Sequence, residues 1–304
     1  MIHILAPVIL LVGLGFLLAR LRFLGRGFMD DLNKLVFWIT LPALLFRSVA
    51  HADRPGPATF SLLALLVCAT LAAALGGWVF ARLIELPRSS WGTFSQSCFR
   101  GNLAYIGIPV LAYAFEGSEA SNFSTAVIVM AFLMAVFNIL AVFVLQSGQG
   151  SGGSWRLMLR SIFTNPLLLA GLSGIPFAYL HITLPLFLDR TLEALGGAAV
   201  PIALLCIGGS LAHARRFEKM GAIFGAALIK TLCVPLFVWL VAGAFGISGT
   251  DLRIALVLAA CPTAAASYIM ARQMSGDEVL AGGSIVMSTL LSGLSIPLVL
   301  FIAR

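Results

Sequence analysis

The sequence predicts an all-α membrane protein: ten transmembrane helices forming two inverted five-helix repeats, with a crossover of broken helices four and nine. Three observations carry this. The 304 residues are 60% hydrophobic and 10% charged, with a mean hydropathy of +1.04, whereas soluble domains run at about 45–50% apolar and 25% charged. Ten apolar stretches come close to or exceed the roughly 20 residues needed to cross the hydrocarbon core. A single offset relates the first half of the chain to the second. Only helices and closed barrels satisfy their backbone in lipid, and the alternating strands of a barrel are absent. This composition excludes a cytosolic enzyme, a secreted disulfide scaffold and a nucleic-acid-binding domain.

The first span, 2–20, has no basic residue ahead of its apolar run. Arg20, Arg22 and Arg26 follow it, so it reads as a retained helix rather than a cleaved leader. The second, 31–50, carries Arg47 near its end, and the third, 58–81, holds no charge at all. Arg100 interrupts the fourth, 91–114; the fifth, 120–147, is apolar throughout. A flexible Gly/Ser segment follows at 146–154 (QSGQGSGGS), and taking 148–155 as the linker divides the chain into repeats 1–147 and 156–304. The second repeat supplies spans at 158–180, 184–212, 220–247, 252–273 and 278–303. Glu193, near the start of the seventh span, is the deepest acid. Lys230 lies about 15 Å along the axis of the eighth.

Charge sets the orientation. With ten spans, one set of alternating loops holds twelve Lys and Arg residues and the other set, with the termini, holds five, leaving Arg100 and Lys230 inside spans. Twelve against five puts the first set in the cytoplasm and both termini outside. In a bacterial cell this means a multi-pass inner-membrane protein with extracytoplasmic termini. The net charge of +7 therefore reports topology. The five cysteines lie in apolar stretches with no CxxC pair and read as small core residues.

An offset of 159 residues superposes Pro7 on Pro166, Gly15 on Gly174, Asp30 on Asp189, Pro42 on Pro201, Gly117 on Gly276 and Glu119 on Glu278. Five spans per repeat is an odd number, so the second repeat enters from the opposite side. Inverted repeats of this kind suit secondary transporters, whose halves exchange roles between outward- and inward-open states.

Two spans carry breaks. The fourth reads Phe99-Arg-Gly-Asn-Leu-Ala-Tyr-Ile-Gly-Ile-Pro109, where Gly101, Gly107 and Pro109 disfavour continuous helix around Asn102. The ninth reads Ala259-Ala-Cys-Pro-Thr-Ala-Ala-Ala-Ser267-Tyr, with Pro262 near its middle. The same offset places Leu103 on Pro262, so the breaks are repeat-related. Crossing there, they would turn half-helix N-termini, with their partial positive charge, toward one anion-binding pocket. Pro42 and Pro201 lack polar neighbours and read as scaffold kinks.

The stretches Gly101-Asn102-Leu-Ala-Tyr-Ile-Gly107-Ile-Pro109 and Pro262-Thr263-Ala-Ala-Ala-Ser-Tyr268-Ile-Met-Ala271 resemble the fourth- and ninth-helix motifs of the auxin efflux carrier family, and Asn165-Pro166 is similar to the pair opening its sixth span. The resemblance covers essentially the whole chain. It implies a fold shared with bile acid/sodium symporters: a scaffold of spans 1, 2, 6 and 7, and a transport domain of spans 3–5 and 8–10 moving past it in elevator fashion. It implies carriage of small carboxylates, malonate or malate in bacterial relatives and auxin in plants, with Asn102 at the substrate carboxylate. Many bacterial members place an Asn in the ninth-helix motif; this chain has Ala266 and Ser267 there.

The candidate substrate-binding residues are Asn102, Leu103, Gly107, Pro109, Pro262, Thr263, Ser267, Arg100 and Lys230. An intramembrane cation such as Lys230 is costly and functional by default; it either pairs with the substrate or neutralises half-helix carbonyls. Arg100 either binds a carboxylate, whose geometry guanidinium matches, or lines a wet entry. No catalytic or metal set and no cofactor is indicated, since HExxH, GxSxG and phosphate-loop patterns are absent. Coupling to sodium or protons is left open: no carboxylate sits at a span centre, yet backbone carbonyls, Thr263 and Ser267 offer oxygens for sodium. Gly221-Ala-Ile-Phe-Gly225 reads as close helix packing. The expected partners are the bilayer and a small organic anion, with a homodimer compatible and nucleic acid excluded. Two other readings stand beside the carrier: a sodium-coupled symporter of a larger amphipathic acid, and a receptor that binds in the same pocket without transport.

Overall fold

The computed structural model describes residues 2–51, 57–115, 120–149, 164, 166–212 and 219–303. Residues 150–155 of the predicted linker, together with Gly117, Glu119, Asn165, Arg54, Arg156, Arg160, Arg215, Arg216 and Arg304, lie outside them. Every element of the described residues is helical. In chain order these are α1 (Ile2–Arg20), α2 (Arg26–Leu35), α3 (Leu41–Ala50), α4 (Pro57–Leu83), α5 (Arg88–Phe99), α6 (Ile108–Ala114), α7 (Ala120–Gln149), α8 (Pro166–Leu180), α9 (Leu186–Ala212), α10 (Met220–Leu228), α11 (Val234–Val241), α12 (Gly249–Ala260), α13 (Ala266–Gln273) and α14 (Glu278–Ile302). The helix of the fifth span continues to Gln149, past the predicted linker start; the Ser147 hydroxyl caps the Phe143 carbonyl at 2.7 Å in its last turns.

Six helical runs are long and apolar enough to cross a membrane: Gly27–Ala50, Ala58–Leu83, Asn122–Ser147, Leu186–Gly209, Met220–Phe245 and Glu278–Ile302. They correspond to the predicted second, third, fifth, seventh, eighth and tenth spans. Leu10–Arg20 and Leu169–Leu180, in the first and sixth, are shorter apolar helices. The fourth and ninth are divided between α5 and α6 and between α12 and α13. Along the continuous helices large apolar side chains stand outward, among them Leu71, Leu75, Phe143, Trp239, Leu240 and Leu294. A lipid-facing surface requires this.

Prolines place the irregular turns. Three π-helical turns, Val36–Thr40, Leu103–Gly107 and Ile229–Cys233, each immediately precede a helix whose second residue is proline: Pro42, Pro109 or Pro235. Proline lacks the N–H and crowds the carbonyl four residues back. The backbone answers with a wider turn that takes in one more residue, as π-bulges do. Hydrogen bonds from the Leu41 N–H to Val36 and from the Val234 N–H to Ile229 close two of these turns.

Contacts among the described residues divide the chain into two units. The first comprises Met1–Thr59, Ala104–Phe132 and Thr164–Ala214; the second comprises Phe60–Leu103, Leu133–Phe163 and Arg215–Arg304. The first thus gathers the predicted spans 1, 2, 6 and 7, and residues 104–132 group with it rather than with spans 3, 8, 9 and 10. Within the first unit α1 packs on α9 and α3 on α8. Gly15 and Gly174 allow both contacts. A Cβ at Gly15 would lie 2.2 Å from the Leu205 carbonyl oxygen, and one at Gly174 would lie 2.9 Å from the Phe46 carbonyl oxygen. The 159-residue offset carries Gly15 onto Gly174 and Phe46 onto Leu205, so it carries one close approach onto the other. Also in this unit, Arg47 donates from Nε and Nη2 to both carboxylate oxygens of Asp189, at 2.8 and 3.2 Å. Glu193, the deepest acid expected, is exposed beside Arg47.

In the second unit, Phe94 and Cys98 of α5 pack with Ala222, Ile223 and Ala226 of α10 and Leu280 of α14. The expected close packing at Gly221 and Gly225 holds for one glycine. Gly225 sits against Phe80, whereas Gly221 faces open space. Of the cysteines, Cys98, Cys206 and Cys261 are buried as expected, but Cys233 is exposed, because it ends the π-turn on the outward side of its helix.

Candidate functional site

The site is built where α5 and α12 stop. α5 ends at Phe99, and Arg100 turns into extended backbone (φ −77°, ψ 94°). α12 ends at Ala260, and Cys261 likewise leaves the helix (φ −54°, ψ 133°), toward the extended conformation that a following proline favours. The two extended pieces meet antiparallel, with Gly101 bridging Thr263. The Asn102 N–H donates to the Pro262 carbonyl at 2.7 Å, and the Ala264 N–H donates to the Arg100 carbonyl at 2.9 Å. Backbone groups freed by the breaks thus satisfy each other, which buried peptide groups require.

Side chains pin this junction from three helices. The Thr263 hydroxyl donates to the Ser97 carbonyl at 2.8 Å, and the Thr263 N–H donates to the Ser288 hydroxyl of α14 at 2.9 Å. The Ser288 hydroxyl donates in turn to Ser284 at 2.6 Å. Lys230, in the π-turn between α10 and α11, is 1% exposed and donates its ammonium to the Ala259 carbonyl. A cation there meets the negative end of the α12 dipole. A Cβ at Gly101 would lie 3.3 Å from Leu103 Cδ2, a tight approach, and in ordinary contact with Lys230 Cε at 3.5 Å. Arg100 is 7% exposed; its guanidinium donates to Asn138 Oδ1 of α7 at 2.6 Å and to the Met270 thioether of α13.

Of the predicted residues, Arg100, Asn102, Leu103, Pro262, Thr263, Ser267 and Lys230 all belong to the second unit and are brought together at this junction. Asn102 and Leu103 are buried at 8% and 1% exposure. Ser267, the second residue of α13, is fully buried, with a hydroxyl oxygen that has no hydrogen-bond partner. Gly107 and Pro109 fall in the first unit, where they end the π-turn and begin α6. Ala265 is exposed and Ala266 half-buried, so the N-terminal end of α13, where positive partial charge collects, is open. Among the described residues no cluster of three His, Cys, Asp or Glu side chains suits a metal.

Sequence reasoning missed Asn138, Met270, Ser97 and Ser288. The signal available for Asn138 is an amide deep in an apolar span. The buried serines Ser284, Ser288, Ser292 and Ser295 recur at helical spacing on one face of α14, a pattern readable before folding. Met270 left no such trace.

Comparison with known proteins gives a family. The family model described as membrane transport protein matches residues 1–151 and 154–300. A protein of Methanothermobacter thermautotrophicus named only as a transporter is 29% identical over 96% of this chain and 94% of its own length. A Rhizobium meliloti protein named "Putative malonate transporter" is 27% identical over 97% and 93%. The rice protein named "Probable auxin efflux carrier component 5a" (Oryza sativa subsp. japonica) is 23% identical over 89% and 87%.

Proposed function

Because the chain belongs to the family of membrane transport proteins, which includes auxin efflux carriers, we propose that it is a secondary carrier or facilitator of a small organic anion. Asn102 and the helix ends freed at the junction hold the carboxylate, and transport exposes this site alternately to the two sides of the membrane. The observation that carries the reading is the antiparallel meeting of the two interruptions, Gly101 on Thr263, with Asn102 beside it. Positive helix ends gathered at an interruption suit an anion.

Charge supports the same choice. Among the described residues the buried charged side chains are Arg100 and Lys230, both cations. They favour an anion and oppose a resident sodium ion beside Thr263 and Ser267, so the sodium-coupled reading has less support than the anion carrier. The division into two units supports a carrier of two bodies moving in elevator fashion. The 159-residue offset carries the contact Gly15–Leu205 onto Gly174–Phe46, which supports two inverted repeats of five spans; the Lys and Arg count supports termini outside an inner membrane. The malonate named for the Rhizobium relative makes a short carboxylate the first substrate to try.

The test is flux in proteoliposomes of the purified chain, using labelled malonate, succinate and butyrate. Saturable, protein-dependent uptake of at least one supports the carrier. Saturable binding without uptake identifies a receptor instead. Uptake only in the presence of a sodium gradient restores the coupled symporter.

A further inference from the structure

We propose that the turn leaving α1 binds an anionic phospholipid, with Arg22 holding the phosphate between two apolar anchors, Leu21 and Phe23. The inference is independent of the carrier reading and concerns a separate part of the first unit. Its first ground is the backbone. The Arg22 N–H donates to the Ala19 carbonyl at 3.2 Å, and the Phe23 N–H donates to the Leu18 carbonyl at 3.0 Å. These are the two bonds of a Schellman cap. Arg22 occupies the left-handed position of that cap, with φ 58°, where glycine is usual and a side chain is disfavoured. Unfavourable backbone is kept where the residue has a task. The residue after the left-handed one commonly packs back on the helix. Phe23 instead stands 76% exposed, and Leu21 is 67% exposed. Side chains this open are unfavourable in water and favourable at the acyl edge of a bilayer.

The second ground is charge. The ion pairs among the described residues involve Lys34, Arg47, His51 and Lys219, so no carboxylate holds Arg20 or Arg22. The nearby Asp31 of α2 is taken by Lys34 at 2.9 Å. Arg20 leans over the Phe16 ring, 6.0 Å from its centroid, and Arg22 follows, exposed between the two anchors. A guanidinium matches phosphate through paired hydrogen bonds. In a phospholipid the phosphate lies where headgroup meets acyl chains, so it reaches Arg22 while the chains cover Leu21 and Phe23. A free phosphate offers those anchors nothing. The chain also contains a comparison. The 159-residue offset carries Leu18 onto Phe177, Leu21 onto Leu180, Arg22 onto His181 and Phe23 onto Ile182. The turn leaving α8 has the same form: the Ile182 N–H donates to the Phe177 carbonyl at 3.0 Å, and His181 has φ 53°. Leu180 and Ile182 are likewise exposed. Backbone and anchors are alike, and the guanidinium distinguishes the first turn. That fits the cytoplasmic side expected for it, where anionic lipids attract arginine.

The experiment reconstitutes the full chain in phosphatidylcholine vesicles with a trace of photoreactive lipid. The probe is phosphatidylglycerol or phosphatidylcholine, with the same acyl chains and the same reactive group in the head, and labelled positions are mapped by mass spectrometry. In the wild type, labelling of residues 21–24 by the phosphatidylglycerol probe should exceed that by the phosphatidylcholine probe about fivefold, the worth of one interfacial arginine. Residues 180–183 should take both probes equally. Arg22→Gln keeps a long polar stem without the charge, and Arg22→Gly relieves the left-handed backbone. Both should lose the preference at the first turn, while Arg22→Gly melts no lower than the wild type, which separates lipid binding from capping. His181→Arg should confer the preference on the second turn. Equal labelling by both probes in the wild type overturns the site, as does a preference that survives in both Arg22 variants. Labelling abolished by millimolar inorganic phosphate overturns it too, because the ligand is then a free anion.

Discussion

The ammonium of Lys230 hydrogen-bonds the Ala259 carbonyl in the last turn of α12, one residue before the helix ends. This contact matches the alternative of a cation held on half-helix carbonyls, and it predicts the effect of losing that charge. Lys230→Met keeps the stem and removes the ammonium, leaving the end of α12 without its counter-charge. Stability should fall by about 1.5–3 kcal/mol, the range for a hydrogen bond to a charged group. Thermal unfolding in detergent checks this; an unchanged midpoint would mean the contact contributes nothing.

Thr263 joins three chain segments through one hydroxyl and one N–H. Thr263→Val preserves shape and deletes the hydroxyl donor, stranding the Ser97 carbonyl. Ser288→Ala instead strands the Thr263 N–H. Each should cost about 1–3 kcal/mol as an unsatisfied buried polar group. Flux should drop with stability in both, read side by side in proteoliposomes and in a melting assay.

Gly15 and Gly174 predict a matched pair of effects. Valine at either position drives a side chain into a carbonyl of the neighbouring helix, and overpacking of this sort costs about 1–3 kcal/mol. Gly13, with open space around it, provides the control. Gly13→Val should shift the melting midpoint far less than Gly15→Val and Gly174→Val, which should resemble each other. Comparable losses at all three positions would contradict the close approaches at Gly15 and Gly174.

Asp277 gives a pH dependence outside the spans. Burial pushes its carboxyl up, but Lys219 at 2.7 Å, the Leu280 N–H at 3.0 Å and the Ser90 hydroxyl at 2.7 Å outweigh that and hold it below its ordinary value of 3.8. A group depressed by folding contributes stability in full above its unfolded value and loses it as pH falls through the lower folded one. The stability gap between the wild type and Asp277→Asn should thus be level at neutral pH and begin to close as pH drops toward 3.8 and below. Melting curves across acidic pH read it out; a gap that widens on acidification reverses the sign.

Much of this was legible before folding, and the remainder has a common cause. Pro109 and Pro262 marked the interruptions because proline acts on its own backbone. Pro42 and Pro235 also follow π-turns, but Pro7, Pro176, Pro201 and Pro297 lie inside helices, so proline alone does not locate such turns. Gly15 and Gly174 were matched by sequence before either had a neighbour. Lys230 was conspicuous by its depth, but its acceptor Ala259, 29 residues on, was not. Arg100 meets Asn138 and Met270 at separations of 38 and 170 residues. Contacts of that range depend on how helices come together, and local pattern does not encode them.

The most direct measurement is flux by Asn102→Ala in proteoliposomes beside the wild type, with equal incorporation and equal melting midpoints as the check on folding. The substitution spares the backbone N–H that donates to Pro262, so the junction stays closed while the side-chain amide is gone. Loss of saturable carboxylate uptake from a folded variant is the predicted result. Uptake at the wild-type rate would contradict an anion site at the junction.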